Sequence, residues 1–146
     1  MNPKRVYLAQ TDTTVGFLSQ DGARLAAIKG RPPSKLFLIA VASLAQLQAF
    51  ARVPASHRRR VRRARRTTFV YPNGKALRYV GEGEHQRFLR KFGWMYSTSA
   101  NPSGKSFDEA WARKSADIIV EDRHGFYEGR PSRIIKLGRA KMRKLR

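Results

Sequence analysis

Two short stretches carry side chains suited to gripping an anion and acting on it. Lys29-Gly30-Arg31-Pro32-Pro33 sets a cation on either side of a glycine, and two prolines fix the exit of the chain. Arginine offers a planar fork for paired hydrogen bonds, lysine a point charge, and the turn itself can aim backbone amides at a phosphate or carboxylate. The second stretch, Tyr96 to Gly104, reads Y-S-T-S-A-N-P-S-G. In extended backbone Ser99 and Asn101 point to the same side, and Pro102 and Gly104 then stop the strand in a tight turn. A hydroxyl and an amide at a strand end suit the same kind of ligand. Such a turn is also ordinary loop composition, and a Lys-Gly-Arg run is commonly a solvated loop.

Other chemistries are excluded. Gly104-Lys105-Ser106 matches the end of a P-loop, but Ser99 occupies the first glycine position and Pro102, which has no N–H, lies inside the would-be loop. With no cysteine there is no disulfide, thiol catalysis or Cys-based zinc site. His57, His85 and His124 lack the spacing of a metal cluster; no protein metal site is expected, and the three read as surface residues.

The elements that must position these groups follow from patterning. At 146 residues and 41% hydrophobic the chain suits one folded domain, expected over 1–137 with a basic tail over 138–146. Val6 to Ala9 reads as a buried strand, followed by a hydroxyl-rich turn whose Thr11, Asp12 and Thr13 suit a helix N-cap. Asp21-Gly22 turns into a short helix over Ala23 to Ile28. Leu36 to Val41 reads as a strand, and Ser43 caps a helix running to Phe50. Thr67 to Tyr71 and Ala76 to Val80 form a hairpin through Asn73-Gly74, with Arg78 in its second strand. A helix over Gln86 to Phe92 turns Phe88 and Leu89 inward, and Trp94 and Met95 are expected in the core. A further helix over Phe107 to Lys114 sets Phe107 and Trp111 on one face. Ile118 to Val120 is a strand, and Arg130-Pro131-Ser132 opens the last one. Strands alternating with helices give an α/β class around a mixed, open, twisted sheet.

Lys and Arg number 31 against 10 Asp and Glu, a net charge of +21 that draws polyanions. Residues 57–66, H-R-R-R-V-R-R-A-R-R, hold seven of the arginines: Arg58, Arg59, Arg60, Arg62, Arg63, Arg65 and Arg66. Charge this dense leaves two structures open, a solvent-facing helix or a mobile arm, and its expected use is contact with RNA phosphates. The tail from Lys136 to Arg146 is expected to stay unstructured until RNA arrives. The apolar stretch from Leu36 to Phe50 is too short and too interrupted to span a bilayer, and no signal peptide precedes the first strand; a cytoplasmic protein without membrane partners is expected.

Thr11-Asp12-Thr13, Lys29-Gly30-Arg31-Pro32, Ser99-Ala100-Asn101-Pro102-Ser103-Gly104 and Arg130-Pro131-Ser132 fall in an order that resembles the YrdC/YciO family, the threonylcarbamoyl-AMP synthases and their relatives. That family's pattern is P-T-[DE]-T, K-x-R-P, a T-[LF]-V strand, an arginine strand, S-A-N-x-S-G and a terminal P/E-S-T. The likeness runs from about Val6 to Leu137. It implies an open α/β sheet with a basic concave cavity, and a nucleotidyltransferase (L-threonylcarbamoyladenylate synthase). Such an enzyme joins threonine, bicarbonate and ATP, with Mg²⁺, and passes its product to downstream tRNA-modification proteins. Matched residue by residue, Lys29, Arg31, Ser99 and Asn101 would be catalytic, and these four with Thr68 and Ser132 would bind the nucleotide. Thr11, Arg31 and Arg78 would take the threonine. The alternative is a non-catalytic relative that binds tRNA or double-stranded RNA. Departures from the pattern are Gln10 for a proline, Thr14-Val15-Gly16 without its tyrosine, and Lys35 and Ala40 for an asparagine and a histidine. Arg65-Arg66 replaces a Pro-Gly turn, and Ser132-Arg133 replaces Ser-Thr.

Overall fold

The computed structural model describes residues 1–35 and 37–146. In chain order the first elements are β1 (Tyr7–Gln10), β2 (Val15–Ser19), α1 (Gly22–Lys29), β3 (Leu38–Val41) and α2 (Leu44–Phe50). A 3-10 turn (Ala55–His57) leads into α3 (Arg58–Arg63), β4 (Thr67–Val70), β5 (Ala76–Tyr79) and α4 (Gly83–Arg90). Then come β6 (Trp94–Ser99), α5 (Glu109–Ser115), β7 (Ile118–Val120), β8 (Arg133–Leu137) and β9 (Met142–Lys144). The fold is mixed α/β, divided between two compact units: Met1–Phe37 with Met95–Pro131, and Leu38–Trp94 with Ser132–Arg146.

In the first unit the strands lie in the order β7-β1-β2-β6, parallel between β7 and β1 and antiparallel elsewhere. Leu8 opposes Phe17, and both are fully buried. Helix α1 starts where Asp21 accepts a hydrogen bond from the Arg24 N–H, and ends at Gly30 in the left-handed conformation (φ 62°). There the N–H of Gly30 bonds to Ala27 O and that of Arg31 to Ala26 O, the double closure that glycine permits. Val6, Val15, Leu25, Phe37 and Ala112 join Leu8 and Phe17 in the core, with Trp111 edge-on to Phe17 at 5.6 Å.

The second unit orders its strands β3-β5-β4-β8-β9, parallel in the β3–β5 and β4–β8 pairs. Ser43 caps α2, Gly74 (φ 85°) makes the hairpin turn between β4 and β5, and Phe88 and Leu89 of α4 are buried.

Several expectations are corrected. The turn after β1 caps no helix; it closes a hairpin onto β2, a five-residue strand buried throughout. Helix α5 begins two residues beyond Phe107, because Asp108 takes the cap by accepting from the Trp111 N–H. The strand expected over Leu36 to Val41 is β3, and Leu36 lies outside the described residues. The tail does not stay unstructured: Met142–Lys144 adds β9 to the sheet, antiparallel to β8. His57 and His85 are not on the surface but 2% and 5% exposed. His85 sits three and four residues before Phe88 and Leu89, on the inward face of α4, and stacks on Phe88. Burial, and secondly the Arg78 charge, hold it neutral with a pKa down to about 3. Met95 is in the core as expected, while Trp94 is half-buried against Phe50.

The turn into β4 keeps a conformation its sequence does not favour. Arg66 has φ 51°, and its carbonyl accepts from the Arg133 N–H at 3.0 Å. A side chain in this left-handed region costs about 1–2 kcal/mol. Arg66→Gly is therefore expected to raise the unfolding free energy by about 1 kcal/mol, measured in urea; an unchanged or lower midpoint would show the turn is unstrained.

Candidate active site

In the first unit, Lys29 at the last turn of α1 reaches across to the end of β6. Its side chain is 7% exposed. The ammonium donates to Ser99 O at 2.9 Å, to Asn101 O, and to Asn101 Oδ1 at 3.3 Å. Three protons meet three neutral oxygens, with no carboxylate among them. Burial first, and the Arg31 charge second, push the Lys29 pKa down to about 8. Ser103 Oγ fastens the other side of the turn by donating to Lys29 O at 2.7 Å. The motif around residue 101 and the one around residue 29 are thus one piece.

Within that piece, Asn101 is held on all sides. Its Oδ1 also accepts from Ser99 Oγ, and its Nδ2 donates to Pro102 O at 3.1 Å and Lys105 O at 2.7 Å. Gly104 (φ 74°) supplies the turn that brings Lys105 back. Ser99 stays exposed beside it. Arg31 differs from Lys29: its guanidinium lies over the Phe37 ring, 4.3 Å from the centroid, and its Nε is buried with no acceptor among the described residues. It is a cation held in place by stacking with hydrogen-bonding capacity to spare. Thr11 is the reverse. Its hydroxyl accepts from the N–H groups of Thr13 and Thr14, both at 3.2 Å, and donates to Thr14 O at 2.5 Å. Its polar capacity is spent on the turn, and its methyl group packs beside Gly16.

The loop before residue 131 completes this unit. Gly129 N–H donates to Thr14 Oγ1 at 3.0 Å, Tyr127 N–H to Gln10 Oε1 at 3.0 Å, and Val15 N–H to Tyr127 O at 3.3 Å. Gly129 has a packing reason to be glycine, since a Cβ there would lie 2.0 Å from Thr13 O. Nothing local in the sequence marks it.

In the second unit Thr68 on β4 and Ser132 before β8 share a hydrogen bond of 2.8 Å between their buried hydroxyls. Arg146 was not anticipated: it donates from Nε to Ser132 O at 2.9 Å and from Nη2 to Ser132 Oγ at 3.3 Å. Arg78, 3% exposed, lies opposite Ala40 in the β3–β5 pair. The arginine run is the solvent-facing helix of the two alternatives, with only Val61 of α3 buried. Of its seven arginines, Arg60 reaches His57 Nδ1 at 2.8 Å and Arg65 forms an exposed ion pair with Glu82 at 3.2 Å. Arg58, Arg59, Arg62, Arg63 and Arg66 have no ion pair among the described residues. The second unit holds 20 of the 31 cationic side chains and 2 of the 10 acidic ones.

No curated protein matches the chain. Among solved structures it resembles P. abyssi Sua5 complexed with L-threonine, at 22% identity and a TM-score of 0.79, covering 98% of this chain and 50% of that one. It resembles E. coli YciO at 20% identity and 0.73, covering 98% and 82%. Full-length HypF in a phosphate- and nucleotide-bound form follows at 13% identity and 0.74, covering 98% and 27%. The chain thus spans about half of the Sua5 protein, and the likeness is one of fold. A family model for Sua5/YciO/YrdC, described as "Telomere recombination", matches residues 6–146. The chain belongs to the Sua5/YciO/YrdC family.

Proposed function

We propose that this chain is a nucleotidyltransferase that forms threonylcarbamoyl-adenylate from threonine, bicarbonate and ATP for tRNA modification. The observation that carries the reading is the Lys29–Asn101 clamp, which leaves Arg31 beside it as a stacked cation with a buried, unmatched donor. The threonine bound by Sua5 and the phosphate and nucleotide bound by HypF support the ligand classes. In the proposed reaction a carbamate oxygen of N-carboxythreonine attacks the α-phosphorus of ATP, the bond to the β-phosphate oxygen breaks, and pyrophosphate leaves.

No side chain need become covalently bound. Arg31 stabilises charge on the transferring phosphoryl group, while Lys29 locks the 99–101 segment in place as one wall against which the carbamate is aligned. Thr68, Arg78 and Ser132 are assigned to further nucleotide or substrate contacts, and Thr11 to apolar contact with the threonine side chain. Mg²⁺ supplies charge neutralisation on the phosphates. Among the described residues no three His, Cys, Asp or Glu side chains converge. No helix among the described residues is long and apolar enough to cross a membrane.

Purified protein is expected to convert ATP to threonylcarbamoyl-AMP and pyrophosphate only when threonine and bicarbonate are both present, with pyrophosphate release followed by a coupled phosphate assay. Turnover independent of threonine would exclude this substrate. A second reading, an RNA-binding relative without catalysis, is favoured by the unpaired arginines of α3. Nucleotide binding with no turnover under any combination of substrates would shift the assignment to it.

A further inference from the structure

Helices α2 and α3 of the second unit border a groove of about 630 Å³ that none of the family motifs touches. Leu44, Leu47 and Val61 line it together with Arg52, Arg58 and Arg62. Leu47 and Val61 are 1% and 2% exposed and form its floor, whereas the three arginines are exposed and stand at its margin. No acidic residue lines it. A ligand that fits has an apolar part for the floor and anionic groups for the margin.

The charge continues beyond the groove. Arg59, Arg63 and Arg66 extend it along α3 and into the turn that follows, and none is ion-paired among the described residues. Ser56 Oγ donates to Arg139 O at 2.7 Å, tying the start of this region to the β8–β9 turn. Exposed Lys141, Arg143 and Lys144 follow that turn. A run of exposed cations suits a polymer of phosphates better than a single small anion. A membrane would need protruding apolar side chains beside the groove, where Val61, the one large apolar residue of α3, points inward; Met142 and Leu145, which do protrude, lie in β9 and just after it.

We propose that the α2–α3 groove receives an unstacked base of a single nucleic-acid strand, with Arg52, Arg58 and Arg62 on its flanking phosphates. This rests on the RNA-binding reading and narrows its partner from tRNA or double-stranded RNA to a single-stranded segment, naming where the strand is held. A duplex keeps its bases inside the stack, so it can use the arginines but not the apolar floor.

The test is fluorescence anisotropy with a labelled 12-nucleotide RNA and the corresponding RNA duplex, titrated across salt concentrations. The single strand is expected to bind more tightly than the duplex. Arg58→Ala with Arg62→Ala should weaken both about a hundredfold and flatten the salt dependence of the single strand by a slope of about 1.4. Leu44→Gln, at a half-buried position of the groove, should weaken the single strand about tenfold and leave the duplex unchanged. Salt-dependent RNA binding indifferent to all three substitutions would overturn the groove while leaving the RNA reading standing. No RNA binding at all would overturn both. Tighter binding to phosphatidylserine vesicles, lost with the same arginines, would make the surface a membrane contact and overturn the proposal.

Discussion

Lys29→Ala is expected to lower threonine-dependent pyrophosphate release by about a thousandfold, while the fold survives. The lysine closes α1 onto the Ser99–Asn101 segment through three acceptors. Hydrogen bonds from a charged donor are each worth about 1.5–3 kcal/mol, and a tenfold rate corresponds to about 1.4 kcal/mol. Losing even two of them when the substrate must be aligned reaches that range. Release measured with a coupled assay, and ATP affinity by calorimetry, should fall together. Activity within threefold of the parent would remove Lys29 from the mechanism.

The same residue predicts an unusual pH response. Its pKa lies near 8 in the folded protein against 10.5 for a free lysine. As pH rises through about 8 the ammonium loses its proton, so ATP affinity of the unliganded protein should decline between pH 7 and 9. Stability moves the other way. Between about 8 and 10.5 the unfolded chain binds a proton at Lys29 that the folded chain does not, so this group's contribution to stability increases with pH across that window. A ligand affinity that falls while denaturant resistance rises would separate this lysine from a solvated one, for which neither changes.

Gly129→Ala should be the most damaging single methyl in the first unit. Its Cβ would stand 2.0 Å from Thr13 O, and that neighbour is backbone, not a side chain able to turn aside. Either the Thr11–Thr14 turn or the 126–129 loop must move, and with it the bonds from Gly129 N to Thr14 Oγ1 and from Tyr127 N to Gln10 Oε1. A loss of about 3 kcal/mol is expected, corresponding to about 6–12 °C in Tm for a chain of this size. Gly125→Ala is the control. Its φ of 68° carries a backbone cost of about 1 kcal/mol, but nothing lies within 4 Å of the added carbon. Equal effects of the two substitutions would mean the close approach at Gly129 is not what fixes the loop.

What could be seen in the sequence was whatever local chemistry decides. Ser43 caps its helix because a short side chain can reach an amide three residues on, and Asn73-Gly74 turns because glycine accepts the left-handed region. The anion-binding character of Lys29 and Arg31 was legible, but not the division of labour between them. Only the fold shows that one is consumed by the loop at 99–101 and the other is held on a ring. Strand β2 was missed because Gly16 weakens its pattern and the hydroxyls before it suit a helix equally well. At Gly16 an added Cβ would meet Thr98 O at 3.0 Å, a contact 82 positions away that no local reading contains. Strand β9 was missed for the opposite reason. Met142–Lys144 is exposed at every position, so it has no buried face to leave an alternation in the sequence, and its pairing comes from the edge of β8. His85 read as a surface residue because a histidine gives no hint of being kept neutral by its surroundings.

The uneven sharing of charge has a further consequence. With 20 cations against 2 acids, the Leu38–Trp94 and Ser132–Arg146 unit folds against its own repulsion. Small anions that screen this charge favour the folded unit, and any polyanion that binds it acts as a stabilising ligand by mass action. The basic face is then a folding element as well as a docking surface: in dilute salt this unit should be the first part of the chain to loosen, and a bound nucleic acid would restore it.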